Sequence, residues 1–263
     1  MMRSSLSADR QAPTIKNIKY IRMKIALAGY GKMGKAIERI AIERGHEITL
    51  RTGRANQEEL NRDKLSGTDV VIEFSSPEAA FGNVSRCLSA GVPVVCGTTG
   101  WNAQLAEAEA LCLAHRSAFL QASNFSIGVN VFFALNGILA RMMNAYPEYE
   151  VTLEETHHIH KKDAPSGTAI SIAEKILANL DRKKKWTETQ PNTPDELSII
   201  AHRAGEVPGT HVVKYHSPID DIELIHTAHN RDGFALGAVV AAEFLKGKQG
   251  IFKMSDVLGL KDC

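Results

Sequence analysis

Short apolar runs alternate with helix-period patterns over the first half of the chain. Lys24–Ala28 reads as a buried strand and Lys35–Arg44 as a helix with Ile37, Ile40 and Ala41 on one face. Gly45 stops that helix, and Glu47–Arg51 reads as a second strand. Asp69–Phe74 is a third strand. Ser76-Pro77 then opens a helix, serine as cap and proline at its first position, which runs to about Ala90 and ends at Gly91. Pro93–Cys96 makes a fourth strand, Asn102–His115 a helix and Ala118–Gln121 a fifth strand.

The alternation breaks at Ile127–Ala145, a long, mostly apolar helical stretch leading out of the first unit. Glu150–Glu155 alternates Val151 and Leu153 with polar residues, as a half-exposed strand does. Pro165-Ser-Gly-Thr168 begins a helix through Leu180, with Ile170, Ala173, Ile176 and Leu177 on one face. Asp181–Glu196, rich in lysine and polar residues, reads as a loop. Leu197–His202, His211–Tyr215 and Ile222–His229 are strand-like, with a hairpin turn at Ser217–Asp221. Strands without intervening helices point to an antiparallel sheet. Gly233–Leu245 reads as an amphipathic helix and Val257–Leu260 as a short ending. The fold class expected is α/β: a Rossmann-type, parallel-sheet dinucleotide-binding domain joined to an α+β domain with an antiparallel sheet. No internal repeat is evident.

Composition narrows the function classes. The 263 residues are 44% hydrophobic and 23% charged, as in an ordinary globular chain, and suffice for one large or two modest domains. A formal net charge of +1 gives no global attraction to nucleic acid or to a membrane surface. No apolar run reaches the ~18 residues of a membrane span. Cys87, Cys96, Cys112 and Cys263 lack metal-type spacing and are too few for a disulfide scaffold; reduced thiols in a cytoplasmic protein are expected. Residues 1–22 carry Arg3, Arg10, Lys16, Lys19 and Arg22 against Asp9, with serines between. That is faintly like a transit peptide, but Met23 directly precedes a strand, which favours a disordered leader or an upstream start.

Gly29-Tyr-Gly-Lys-Met-Gly34 stands between the first strand and the first helix, the setting a dinucleotide fingerprint requires. Gly29 makes the turn, Gly31 admits a pyrophosphate and Gly34 lets the helix pack close. The helix start offers free N–H groups to phosphates. The acid expected about 20 residues past the glycines is missing. The strand runs out as Leu50-Arg-Thr-Gly-Arg54, and Arg51 and Arg54 suit a 2′-phosphate, a lean toward NADPH over NADH. Gly97, Thr98 and Thr99, after the fourth strand, and Ala122, Ser123, Asn124 and Phe125, after the fifth, lie where ligands of open α/β sheets bind.

Glu154–Thr168 concentrates the remaining chemistry. Within His157–Lys162 stand three histidines and two lysines. A strand or a helix would put His157 and Lys161 side by side, an imidazole and an ammonium suited to proton transfer toward an anion. Ser166-Gly-Thr168 presents backbone N–H groups at a helix start, a place for a carboxylate or phosphate. Clustered histidines can also bind metal, but no standard ligand spacing is present and two lysines would repel a cation, so no metal is expected. A solvated basic turn would explain the lysines but not three histidines before a helix start.

The run His157-His-Ile-His-Lys-Lys-Asp-Ala-Pro-Ser-Gly-Thr-Ala169 resembles the signature of the 4-hydroxy-tetrahydrodipicolinate reductase (dihydrodipicolinate reductase) family of lysine biosynthesis. The resemblance extends from Met23 to about Leu260 and includes Gly29–Gly34, Gly97–Gly100, Asn124–Asn130, Arg203–Glu206 and Asn230–Ala238. It implies reduction of a small cyclic dicarboxylate with NADPH or NADH on the diaminopimelate route, by a homotetramer. His157 matches the family's proton donor/acceptor and Lys161 its second proton donor. His158, Gly167 and Thr168 match substrate contacts. Gly29, Tyr30, Gly31, Lys32 and Met33, with Gly97–Thr99 and Ala122–Phe125, match cofactor segments. By the same analogy the last helix returns to the first domain. Residues 23–126 and 232–263 then form one unit and 127–231 the other, with hinges near Ser126 and Arg231. The short region between the second and third strands, the compact glycine turn and the missing acid depart from the family, and the last puts NADH use in question. A reductase of another small imine or keto acid, and a non-catalytic sensor closing on a nucleotide, are the other functions the sequence allows.

Overall fold

The computed structural model describes residues 22–230 and 232–260. Residues 1–21 of the expected leader and the hinge position Arg231 lie outside them. The first sheet is built from β1 (Lys24–Ala28), β2 (Glu47–Thr52), β3 (Val70–Glu73), β4 (Val94–Cys96) and β5 (Ala118–Gln121). A late strand, β11 (Gly250–Phe252), completes it. The order is β11-β5-β4-β3-β1-β2 and every pairing is parallel.

Side chains leave these strands alternately toward two cores, which is why the strands read as unbroken apolar runs. Ile25, Leu27, Val70, Ile72 and Leu120 face α1 (Lys32–Glu43) and α6 (Asp232–Leu245). Ala26, Ala28, Val71, Val94 and Phe119 face α2 (Pro77–Ser89) and α3 (Leu105–Ala114). Each fully buried Ile, Leu or Phe stabilises this sandwich by roughly 1.5–3 kcal/mol. From β1 the chain passes to β2 on one side and later to β3 on the other, so strand order reverses beside β1. Ligands of such sheets bind in the crevice beyond the strand ends at that reversal.

The second sheet has the order β10-β9-β6-β8-β7. Its strands are β6 (Glu150–His157), β7 (Lys185–Thr187), β8 (Glu196–Arg203), β9 (Gly209–His216) and β10 (Asp221–Ala228). The antiparallel expectation holds for β10, β9 and β6, while β6, β8 and β7 run parallel, so the sheet is mixed. The reason is a crossover: β6 returns through α5 (Gly167–Leu177) to lie beside β8, and only a parallel pairing results. One face packs Val151, Leu153, Leu197, Ile199, Val213 and Tyr215 against α5 and α4 (Ile127–Met143). The other face exposes Ile200 and Ile225, while Ile222, also exposed, lies beside Tyr215 on the helix-covered face at the sheet edge.

Other sequence expectations need correction. The loop expected at Asp181–Glu196 contains β7. The ending contains β11 and α7 (Met254–Val257). Ser76 occupies the N-cap of α2 without a capping bond. The helix at Gly233–Leu245 is not amphipathic: α6 buries Ala235, Gly237, Ala238, Val239, Ala241, Ala242 and Leu245. Its small residues let it press against the first sheet and against the segment that follows β5. Among the described residues no helix is long and apolar enough to cross a membrane.

Gly237 marks the tightest of these approaches, since a Cβ there would lie 1.7 Å from the carbonyl oxygen of Phe125. Gly233 is the internal control, with a built Cβ 3.5 Å from Ser126 Oγ, an ordinary contact. Gly237→Ala should lower stability in urea unfolding by at least ~3 kcal/mol, while Gly233→Ala stays near wild type. Equal stability of the two variants would show that α6 is not packed this closely.

Candidate active site

The glycine turn lies at the strand-order reversal. Gly29 has φ +96°, and a Cβ there would fall 2.0 Å from the carbonyl oxygen of Phe74. A Cβ on Gly34 would lie 2.3 Å from the Gly29 carbonyl oxygen, so the third glycine sets how closely α1 meets the turn. Gly31 is different, for a Cβ there meets nothing within 4 Å. Gly31 is also the N-cap of α1, which has no side-chain cap and no acid in its first turn. Its N–H groups therefore open onto free space at the positive end of the helix, a fit for a pyrophosphate.

Three cavities follow one another along the strand ends. The first, of about 310 Å³, is lined by Gly29, Tyr30, Gly31, Gly53 and Arg54 among others. The second, of about 390 Å³, shares Gly31, Phe74 and Ser75 with it and adds Lys32, Met33, Gly97, Thr98 and Thr99. Thr99 also borders the third, of about 940 Å³, with Ser123, Asn124, His157, His158 and Lys161. Ala122 lines none of these and faces another cavity beside β11. Phe125 is buried, with its ring 5.6 Å from that of Phe74. These two members of the third cofactor segment support the trough rather than line it.

The loop after β3 is fixed from below. Buried Glu73 accepts hydrogen bonds from Ser75 Oγ, Asn83 Nδ2 (3.3 Å) and Cys96 Sγ (3.1 Å), and the backbone N–H of Ser75 donates to Thr98 Oγ1 at 2.9 Å. Burial, with Glu73 alongside, pushes the Cys96 thiol well above its ordinary value. Cys87, Cys96 and Cys112 are free and buried.

At the outer end of the trough the two arginines differ. Arg51 donates from Nε to Glu38 Oε1 at 2.8 Å, and Tyr30 donates to the other oxygen of the same carboxylate. The guanidinium of Arg51 holds Glu38 below the usual carboxylate range. A carboxylate is thus present near this end, but on α1 and already engaged with Arg51. Arg54 faces the cavity and Arg51 does not line it.

The cationic cluster is neither strand nor helix throughout. β6 ends at His157, and a turn follows in which the Lys161 N–H donates to the His158 carbonyl at 3.1 Å. This turn brings Lys161 back to the cavity that His157 borders. Lys161 Nζ contacts Asp163 Oδ2 at 2.6 Å, and that ammonium holds Asp163 below the usual carboxylate range. His158 also lines the cavity, and its Nδ1 is buried with no hydrogen-bond partner. The His160 side chain is largely exposed, 3.4 Å from Glu206. Ser166 caps α5, its hydroxyl accepting from the Ala169 N–H at 3.1 Å. Gly167 and Thr168 start the helix at the cavity wall, and no acid stands in the first turn. Asn124 Nδ2 donates to Thr168 Oγ1 at 3.4 Å, so a cofactor segment and a substrate segment touch.

Four residues here were given no role in the sequence reading, although it singled out the segments that hold the first two: Glu155, Arg203, His211 and His226. Glu155 pairs with His211 across β6 and β9, and His211 with His226 across β9 and β10. The available signal was a polar residue at an inward strand position: Glu155 continues the row Val151, Leu153, and His211 the row Val213, Tyr215. Burial pushes His211 down to about 4, with His157 repelling its charged form, and burial lowers His226 as well. Glu155, His157 and His211 bring ligand-type atoms within 4.8 Å of one another, a set that could hold a metal ion. Both terminal nitrogens of Arg203 already lie 3.3 Å from Glu155 Oε1, so the carboxylate is neutralised without one. That arrangement suits a proton carrier better than a metal centre.

Comparison with known proteins accords with this geometry. Residues 23–125 match the family model for the N-terminus of dihydrodipicolinate reductase, and 128–258 the model for its C-terminus. The chain is 51% identical over 237 residues to 4-hydroxy-tetrahydrodipicolinate reductase of Christiangramia forsetii, covering 90% of this chain and 98% of that one. It is 32% identical to the enzyme of the same name from Neisseria gonorrhoeae over 271 residues, covering 92% and 99%. In fold it is similar to a dipicolinate-bound dihydrodipicolinate reductase from Paenisporosarcina sp. TG-14, with a TM-score of 0.73 at 20% identity over 89% of this chain and 98% of that one. With both halves matched and near full-length relatives above 30% identity, the chain belongs to the dihydrodipicolinate reductase family.

Proposed function

We propose that this enzyme reduces 4-hydroxy-tetrahydrodipicolinate to tetrahydrodipicolinate with NAD(P)H, on the diaminopimelate route to lysine. In balance, substrate, reduced cofactor and a proton give product, oxidised cofactor and water. The observation that carries the reading is one cavity in which Thr99 of the cofactor trough, His157, Lys161 and the start of α5 all share the wall.

The roles follow from charge. Gly31, Lys32 and Met33 with the first turn of α1 would hold the cofactor's pyrophosphate, and Thr98, Thr99, Ser123 and Asn124 its reactive end. When bound, the reduced nicotinamide supplies a hydride. The N–H groups of Gly167 and Thr168 receive a substrate carboxylate, and His158 contacts it. Lys161 stabilises the negative charge that accumulates on the ring, a transition-state effect. His157 or Lys161 delivers the proton. Neutral His211 and His226 add no competing charge. The units 23–126 with 232–263, and 127–231, belong to this proposal, with closure bringing the trough to the cluster.

Arg54 supports a preference for NADPH, because it alone of the two arginines faces the outer cavity. Buried free thiols accord with a cytoplasmic enzyme. Ile200 and Ile225, on the uncovered face of the second sheet, support a homotetramer assembled there.

Turnover of freshly generated substrate should fall about 10²–10⁴-fold in His157→Ala and in Lys161→Ala. Variants as active as wild type would remove both residues from the chemistry. For Arg54→Ala, the KM for NADPH should rise about tenfold or more, since a hydrogen bond to a charged group contributes ~1.5–3 kcal/mol. The KM for NADH should hardly move, and equal changes for both cofactors would refute the assignment. In sedimentation velocity the wild type should run as a tetramer and Ile225→Glu as smaller species; an intact Ile225→Glu tetramer would place the interface elsewhere.

A further inference from the structure

A buried carboxylate beneath the proposed proton donor has no part in the mechanism so far. We propose that Glu155 is the positioning residue of the reaction, holding His157 in one orientation and tautomer and tying it to the anion-binding start of α5. This rests on the catalytic reading of His157 given above.

Glu155 stands on the apolar side of β6, in line with Val151 and Leu153, and its side chain is fully buried. An ionised group at such a position costs several kcal/mol unless it is paired. Its two oxygens are divided between two tasks. Oε1 accepts from the backbone N–H of Ser166 at 3.0 Å and lies 3.3 Å from both terminal nitrogens of Arg203. Ser166 is the N-cap of α5, so this oxygen fixes the helix start to the strand. Oε2 lies 3.3 Å from His157 Nδ1 and 3.8 Å from His211 Nε2.

The remaining polar atoms sharpen the assignment. Glu155 Oε2 and His157 Nδ1 are both buried, and neither has a hydrogen-bond partner elsewhere. A small rotation of the ring lets each satisfy the other. The bond then places the proton of the neutral ring on Nδ1 and leaves Nε2 for exchange with substrate. Nε2 stands beside Gly209, where a built Cβ would lie 3.0 Å away, and both residues border the cavity. A side chain at 209 would press on the ring nitrogen that has to stay accessible.

Electrostatics agree with geometry. Burial pushes the Glu155 carboxyl upward, but the close His157 ring and the hydrogen bond from Ser166 outweigh it and bring it to about 2, so it is ionised at neutral pH. The groups around His157 are Glu155 on β6, Arg203 at the end of β8, His211 on β9 with His226 behind it on β10, and Lys161 with Asp163 in the turn. His211 stays neutral, Lys161 is matched by Asp163 and Arg203 by Glu155 Oε1. Oε2 is therefore the anionic atom available when His157 carries a proton.

The test compares Glu155→Gln, which keeps shape and removes charge, with Glu155→Asp, which keeps charge. In Glu155→Gln, kcat should fall ~10–100-fold, with the KM for NADPH unchanged. The alkaline limb of its pH–rate profile should move to lower pH, because the protonated ring loses its anionic neighbour. Glu155→Asp should keep the wild-type limb even if kcat drops. Nitrogen-15 NMR of wild type should show the neutral His157 ring protonated on Nδ1, a measurement that needs neither variant to fold nor any turnover. A Glu155→Gln profile with the wild-type limb would reduce Glu155 to a structural ion pair and overturn the proposal. A wild-type ring protonated on Nε2 would do the same. Failure of the wild type to reduce the dicarboxylate would instead defeat the functional reading, leaving the NMR result to judge the positioning.

Discussion

Two helices leave first-turn N–H groups open along one run of adjoining cavities, and much of the structure can be traced to that electrostatic demand. At α1 the demand is met by an uncapped glycine and by the absence of any acid in the first turn. At α5 Ser166 satisfies one N–H and the rest face the cavity. Delivering two positive helix ends to one place requires the strand-order reversal beside β1, the crossover from β6 to β8 and a last helix made of small residues. Anionic ligands are the natural occupants of such a cleft.

Negative charge inside the protein is placed with matching care. Glu73 supports the loop after β3, Glu155 sits beneath His157, and Glu38 occupies Arg51. Each carboxylate lies behind the surface that a ligand would touch. None lines the cleft, so none opposes an incoming anion. Asp163 is the exception at the wall, and it is held by Lys161.

How much of this was readable in the sequence depends on distance along the chain. Strands β1 to β5 were legible because burial on both faces leaves an unbroken apolar run. The glycine turn and the signature after His157 were legible because their chemistry is contiguous. β7 and β11 were not, since Lys185-Trp-Thr187 and Gly250-Ile-Phe252 are too short to show a period and gain strand form only from their neighbours. Arg51 looked like a phosphate ligand because its partner Glu38 lies on α1, where no local pattern links the two. His211 and His226 join the site only through cross-strand register. The amphipathic reading of α6 failed because alanine and glycine are permitted on any helix face, and only packing shows that they mark close approach.

β10 carries a consequence for the life of a newly made chain. It is the outer strand of its sheet, eight residues long, with Ile222 and Ile225 exposed and one edge of its backbone unpaired. Such an edge is a template for chance pairing between chains. Asp221 and Glu223, both within reach of Lys214, interrupt the apolar side chains and act as gatekeepers. The solubility of a newly folded chain at this edge therefore rests on two acids, and the protein concentration during refolding will decide how much is recovered.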